Sequence, residues 1–259
     1  MRLSTESKLA GRRALVTGAG QGLGRAIAQE LIQRGCSVAL HYHSSRVGAE
    51  ELAALARENG NAGVALQADL TAAAAAASLV AAASKALGGL DILINNAGDL
   101  LERRTIGELD EAFWMRTSKI NIESLMWVTR SAVPFLAQTS GGASIVNLSS
   151  LAGRKGGHPG SLAYSTAKAA VIGWTRALSV ELAPQGIRVN AVAPGLILGT
   201  RFHDTHTTRE SADRTISQIP LGRAGTPEDV ARAVAFFASE FDGFITGAVL
   251  DINGGVYLA

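Results

Sequence analysis

Short apolar runs alternate with longer amphipathic stretches along the whole chain. ALVTG (14–18) is apolar on both faces and ends in turn residues, the pattern of a buried strand. LGRAIAQELIQR (23–34) then sets Leu23, Ile27 and Leu31 on one helical face, and Gly35 stops it. CSVALHY (36–42), AGVALQADL (62–70), DILINNAG (91–98), ASIVNLSS (143–150), IRVNAVAPG (187–195) and AVLDING (248–254) repeat the strand pattern. Between them the helical period recurs in 49–59, 71–89, 108–138, 162–183 and 226–239. Thr71 is the predicted N-cap of the third helix and Gly88 its stop; Thr226 caps the last, with Pro227 in its first turn. Strand and helix alternate with short connections. This predicts an α/β fold, a doubly wound parallel sheet of about seven strands with helices on both faces. No Pro/Ser-rich linker and no repeat of 20–50 residues divides the chain, so 1–259 is read as one domain. Segment 196–225 reads as a long loop after the sixth strand. Its place at a strand's carboxyl end makes it a candidate substrate lid.

Composition narrows the class. The 259 residues are 47% apolar and 18% charged, which is globular, and long enough for a full core. Net charge is +2 with no long run of either sign, so nucleic acid is not an expected partner. One cysteine, Cys36, excludes an intrachain disulfide and a Cys-based zinc site, and fits a cytoplasmic location. MRLSTESKLAGRR lacks the apolar core of a secretory signal. The alanine-rich 72–83 is too short and too weakly apolar to span a membrane.

Glycines at 18, 20, 22 and 24 follow the first strand. Such a turn lets a ligand's phosphates approach the backbone, and the helix behind it offers unpaired N–H groups and a positive dipole end. Gly18, Gly22 and Gly24 are therefore read as a dinucleotide pyrophosphate turn. The spacing is G-x-x-x-G-x-G, and no G-K-[S/T] of a Walker A loop follows. Further on, Tyr164 and Lys168 stand four apart in a helical pattern, with Cβ atoms about 5–6 Å apart. An ammonium about 6 Å from a phenol, at effective dielectric about 20, favours the phenolate by about 3 kcal/mol, or about 2 pKa units. The expectation is a phenol poised for acid–base work.

T-G-x-x-x-G-x-G at 17–24, N-N-A-G at 95–98, Ser150, Tyr164-x-x-x-Lys168 and Pro194-Gly195 stand in the order seen in short-chain dehydrogenases/reductases. The chain resembles that family from about residue 9 to 255. The resemblance implies a Rossmann-type fold and a catalytic set of Asn121, Ser150, Tyr164 and Lys168. Tyr164 would exchange the proton, Ser150 hold the substrate oxygen, Lys168 hold the cofactor ribose, and Asn121 hold a water beside the lysine. Alternation allows just one of Ser149 and Ser150 to face the site, and the family's S-x-A-G tail falls on Ser150-Leu151-Ala152-Gly153. The implied cofactor-binding set is Gly18, Gln21, Gly22, Leu23, Gly24, Tyr42, His43, Ser44, Ser45, Asp69, Leu70, Asn96, Ala97, Gly98, Tyr164, Lys168, Pro194, Gly195 and Ile197. Adenine would lie by Asp69 and Leu70.

An NAD enzyme of this kind uses a carboxylate after the second strand to bond the ribose hydroxyls. Here L-H-Y-H-S-S-R (40–46) has none before Glu50, and Tyr42 takes the family's selective position. His43, Ser44, Ser45 and Arg46 suit a 2′-phosphate, so NADP is expected, with NAD left open. In the lid, Arg201, His203, His206, Arg209 and Arg214 suggest a carboxylate, sugar acid or phosphorylated substrate. F-H-x-x-x-T at 202–207 with ITGAVLDINGGVY resembles reductases of keto acids derived from uronic acids. The whole chain equally resembles 3-oxoacyl-carrier-protein reductases. His203-Asp204-x-His206 lacks a third ligand, so no metal is expected. Trp114, Trp127 and Trp174 read as packing or interface residues, and the resemblance implies a homotetramer through 108–138 and 162–183.

The resulting expectation is an NADP-dependent oxidoreductase moving hydride between nicotinamide and a carbonyl or secondary alcohol. The alternatives are an NAD-dependent sugar or polyol dehydrogenase and a catalytically silent NADP-binding sensor. A sensor would drop Tyr164 or Lys168, and this chain keeps both. A serine hydrolase would need a G-x-S-x-G elbow, which N-L-S-S-L at 147–151 is not.

Overall fold

The computed structural model describes residues 9–239 and 243–259. Residues 1–8 of the segment read as lacking a signal core lie outside them. β1 (Arg13–Val16), β2 (Ser37–Tyr42), β3 (Gly63–Gln67), β4 (Ile92–Asn95), β5 (Ala143–Leu148), β6 (Ile187–Pro194) and β7 (Val249–Ile252) form one sheet. Its order is β3-β2-β1-β4-β5-β6-β7, and every neighbouring pair is parallel. The chain winds outward from β1 to β3, returns to lay β4 against β1, and proceeds to the other edge. Parallel pairing demands crossovers, and buried strands demand cover on both faces.

The helices supply that cover. Val16, Leu40 and Ile94 pack with α1 (Gly22–Gln33), α2 (Arg46–Glu58) and α10 (Pro227–Ala238), through Ile27, Leu31, Leu52 and Val234. Leu15, Leu93 and Ile145 point the other way. They meet α3 (Ala73–Leu87), α5 (Ser124–Leu136) and α7 (Leu162–Leu182) through Val80, Val128 and Leu182. Each such side chain, fully buried, contributes about 1.5–3 kcal/mol.

Three sequence expectations change. Thr71 is not a cap: α3 starts after Ala72 without a side-chain cap, and the Thr71 hydroxyl donates to Asp69 Oδ1 at 2.7 Å. Gly88 does end the helix, at φ 73°. The run 108–138 is α4 (Glu111–Ser118), a wider π turn over Lys119–Glu123, and α5, with Asp110 as N-cap and Pro134 inside α5. Segment 196–225 is not plain loop. It contains α8 (Arg201–His206) and α9 (Arg209–Ile216), whose N-caps Thr200 and Thr208 accept from His203 N and Ser211 N. Helices of six and eight residues, rich in polar side chains, leave too short a period to read. At α10, Thr226 and Asp229 form the full capping box.

The strands stop just short of the motif residues. Thr17–Gly24, Asn96–Gly98 and Ser149–Ser150 thus lie on the rim at the carboxyl ends of β1, β4 and β5. Five-residue α6 (Leu151–Lys155) follows Ser150. Among the described residues no helix is long and apolar enough to cross a membrane.

Candidate active site

A cavity of about 980 Å³ opens on this rim, where the sheet order reverses between β1 and β4. Thr17 ties the two strand ends together. Its hydroxyl accepts from Asn96 N (2.9 Å) and Ala97 N (3.0 Å) and donates to Ile94 O (3.2 Å). The Asn96 amide donates back to Thr17 O at 2.9 Å and Gly18 O at 3.2 Å. Gly18, Gln21, Gly22, Leu23 and Gly24 line the cavity from above. Gln21, at the N-cap of α1, makes no side-chain cap, so the first N–H groups of a 12-residue helix are left for a ligand. Gly24 packs on the turn so closely that a Cβ there would sit 2.1 Å from Gly18 O. This cradle, with glycine at 18, 20, 22 and 24 and a helix N-terminus behind it, fits a dinucleotide pyrophosphate.

The rim after β2 departs from expectation. His43, Ser44 and Ser45 line the cavity, but Tyr42 does not: it is buried in the core beneath α1 and α2. Arg46 is turned away as well, bonded through Nε to Glu50 Oε1 at 2.7 Å. His41 takes a place that the sequence reading missed. Its Nδ1 accepts from Gly18 N at 3.0 Å, and Nε2 faces Ala68 O at 3.2 Å. Period-two alternation was the available signal: it puts His41 and His43 on one side of the strand and Tyr42 on the other. Asp69 and Leu70 line the same end of the cavity.

Burial lowers the His41 imidazole from 6.5 to about 4. A folded-state pKa below the unfolded one means that the unfolded chain binds the proton more tightly. The associated stability is complete above pH 6.5 and is lost as pH falls towards 4. At pH 5 the loss from this one group is about 2 kcal/mol. For a chain of this size, that lowers Tm by about 4–8 °C. We expect His41→Asn to flatten Tm against pH between 7 and 5; an unchanged slope would exclude His41 as the source.

At the centre of the cavity α7 presents Tyr164 and Lys168 towards the end of β5. Lys168 Nζ lies 5.7 Å from the Tyr164 ring centre and donates to Leu148 O at 2.9 Å. Ser150 hydrogen-bonds with the Tyr164 side chain and also accepts from Ala152 N at 3.1 Å. Ser149 instead donates to Lys168 O at 2.7 Å and is buried. Both serines border the cavity, and their hydroxyls part, Ser149 to Lys168 O and Ser150 to Tyr164. Asn121, in the π turn, is buried and off the cavity wall. Its amide donates to Asp99 O (2.7 Å) and Thr117 O (3.0 Å), and its Oδ1 accepts from Asp99 N (3.1 Å). A Cβ on Gly98 would meet Asn121 Oδ1 at 2.7 Å and Lys168 Nζ at 3.0 Å. The Asn121 side chain is thus tied to the Asp99 backbone and to Thr117 O, next to Gly98 and Lys168. Pro194, Gly195 and Ile197 close the wall at the end of β6.

The pKa expectation for Tyr164 is overturned in the protein alone. Burial pushes the phenol up to about 12, and the Asp99 carboxylate adds to this against the Ser150 hydrogen bond. Burial also lowers Lys168 to about 8. Both charged forms lose water here, and that penalty exceeds the attraction expected at an effective dielectric of about 20.

Helix α8 sets Phe202 beside this pair, its ring centre 5.8 Å from that of Tyr164. Arg201 and His203 line the cavity, and His203 Nδ1 is bonded to Thr207 Oγ1 at 2.8 Å. His206 does not line it: Nε2 is 3.6 Å from Asp99 Oδ1. Arg209 and Arg214 are also off the wall, Arg214 paired with Glu210 at 2.8 Å. Among the described residues no group of three His, Cys, Asp or Glu could hold a metal. Trp127 and Trp174 pack against the core, and Trp114 is 39% exposed.

A glycine turn at the switch point of a doubly wound parallel sheet, with Ser, Tyr and Lys on the same cavity, defines a Rossmann-like α/β protein. The profile of a family described as enoyl-(acyl carrier protein) reductase matches residues 18–257. An uncharacterized oxidoreductase of Methylorubrum extorquens is 38% identical over 254 residues, 96% of this chain and 99% of that one. The 3-oxoacyl-[acyl-carrier-protein] reductase FabG of Staphylococcus aureus is 36% identical over 95% of this chain and 98% of its own. Among solved structures, the NADH-dependent reductase A1-R′ responsible for alginate metabolism superposes with a TM-score of 0.88 at 35% identity, covering 98% of this chain and 100% of that one. The chain belongs to the short-chain dehydrogenase/reductase family and is an oxidoreductase of that family.

Proposed function

We propose that the protein reduces a carbonyl to a secondary alcohol, and runs the reverse reaction, with NADP as cofactor. The observation carrying this reading is the convergence of Ser150, Tyr164 and Lys168 on one cavity wall beneath the glycine turn. The nicotinamide, when bound, supplies or accepts the hydride. Tyr164 donates the proton to the substrate oxygen as negative charge develops there. Ser150 donates a hydrogen bond to the same oxygen. Lys168, fixed by Leu148 O, would hold the ribose side of the cofactor and keeps positive charge near the phenol. Asn121 positions the backbone of Gly98 and Asp99 beside the lysine.

The choice of NADP rests on the β2 rim, where His43, Ser44 and Ser45 face the cavity and the first carboxylate, Glu50, is bonded to Arg46. Among the described residues no carboxylate of the β2 rim itself lines the cavity, Asp69 reaching the same end from beyond β3. A1-R′, an NADH-dependent relative, makes NAD the competing reading. Lys155 and Arg201 line the cavity and take part in no ion pair among the described residues, which favours a substrate carrying a carboxylate or phosphate. One assay tests these points: NADPH and NADH oxidation against matched ketones with and without a carboxylate. We expect a KM at least about tenfold lower for NADPH, a difference of about 1.4 kcal/mol, and faster turnover of the carboxylated members. His43→Asp should reverse the cofactor preference. A lower KM for NADH in the unaltered protein overturns the NADP assignment.

The same reading places the protein in the cytoplasm as a homotetramer assembled through α4–α5 and α7. Exposed Trp114 and Leu162 on those helices support the interface. A monomeric mass by sedimentation would remove it.

A further inference from the structure

Two successive N–H groups of the glycine turn are taken by one residue. Gly18 N donates to His41 Nδ1 at 3.0 Å, and Ala19 N donates to His41 O at 2.8 Å. The far side of the same imidazole reaches Ala68 O at 3.2 Å, just beyond β3. His41 is 2% exposed, yet it borders the cavity. With Nδ1 accepting, Nε2 carries the hydrogen and donates to Ala68 O, so the ring is neutral and its tautomer fixed. The imidazole thus fastens the β1 turn to the rim of β3, the two segments between which the adenosine half of a dinucleotide would lie.

We propose that His41 is a positioning residue for dinucleotide binding: it holds the Gly18–Gly24 turn in its binding-competent shape before the ligand arrives. This rests on the dinucleotide-binding reading of the cavity. An apolar side chain at 41 leaves the Gly18 N–H unpaired, and the turn then spends part of its time in other conformations. Apparent affinity falls by the fraction that remains competent. Once cofactor saturates the protein, the turn is held again and turnover recovers. Because the clamp touches neither the 2′ position nor the reacting atoms, NADPH and NADH are affected alike.

The test measures Kd by titration of cofactor fluorescence, together with KM, kcat and Tm, for the unaltered protein, His41→Leu and His41→Asn. For His41→Leu the expected result is a rise of about tenfold in Kd and KM for both cofactors, with kcat within twofold. His41→Asn keeps an acceptor for Gly18 but is too short to reach Ala68. Its Kd should stay within about threefold while Tm falls. If His41→Leu destabilises the protein but binds both cofactors as tightly as before, the residue is merely structural and the proposal is overturned. Equal weakening of the Leu and Asn variants overturns it too. Should His41→Leu not fold, His41→Asn decides alone: a Kd raised more than tenfold refutes the clamp. An unaltered protein that binds no dinucleotide would instead refute the proposed function.

Discussion

Replacing Tyr164 by Phe is expected to cut kcat for carbonyl reduction by about 10²–10⁴-fold, the range for removal of a positioned general acid. Kd for the cofactor should stay within about threefold. The phenyl ring keeps its contact with Phe202, so α8 is not disturbed. What disappears is one hydroxyl, and with it both the proton for the nascent alkoxide and the partner of Ser150. Burial holds this phenol near 12 in the protein alone, so it is protonated throughout the neutral range, which is the form that reduction needs. A variant retaining more than a tenth of the activity would show that the proton comes from elsewhere. Stopped-flow cofactor oxidation and equilibrium binding on the same preparation separate the two effects.

Gly24→Ala is expected to damage stability and cofactor binding together. The added methyl would lie 2.1 Å from Gly18 O and 2.5 Å from the Asn96 amide nitrogen. Neither neighbour is the tip of a flexible chain. Gly18 O belongs to the turn itself, and the Asn96 amide is bonded to Thr17 O and Gly18 O. Relief requires α1 to lift from the end of β1, which opens the cradle. Overpacking of this kind costs about 1–3 kcal/mol, or up to about 12 °C in Tm for a chain of this size. We expect dinucleotide Kd to rise at least about a hundredfold, since the helix N-terminus no longer faces the site. Gly107→Ala, where a Cβ meets nothing within 4 Å, is the control and should stay within about 0.5 kcal/mol of the parent. A Gly24→Ala protein with unchanged Tm and Kd would mean that the tight packing is not needed.

The centre of the sheet was legible because its strands are short and buried on both faces, so VTG, NNAG and LSS each announce a strand ending at the rim. The pairing of Ser150 with Tyr164 was legible because motif order carries register. Lys168 was placed correctly on the helical face, but its effect on the phenol was not. Spacing gives a distance, whereas burial decides the dielectric, and burial depends on α8 folding over the site. Position along β2 points to Tyr42, but the face it presents is the core, and the cavity takes His41 and His43 on either side of it. His41 is a polar side chain inside an apolar strand that has to find partners. The Asn121 amide reaches Asp99 from within a π turn, a local widening with no sequence period of its own.

The most direct measurement follows the hydride. NADPH deuterated at both C4 positions is incubated with the best carbonyl substrate of the panel, and the alcohol is analysed by mass spectrometry and NMR. If Ser150, Tyr164 and Lys168 organise hydride transfer, the product carries one deuterium on the former carbonyl carbon, and with unlabelled NADPH in D₂O that carbon carries none. Solvent-derived deuterium on that carbon, or cofactor oxidised without alcohol formed, would contradict it.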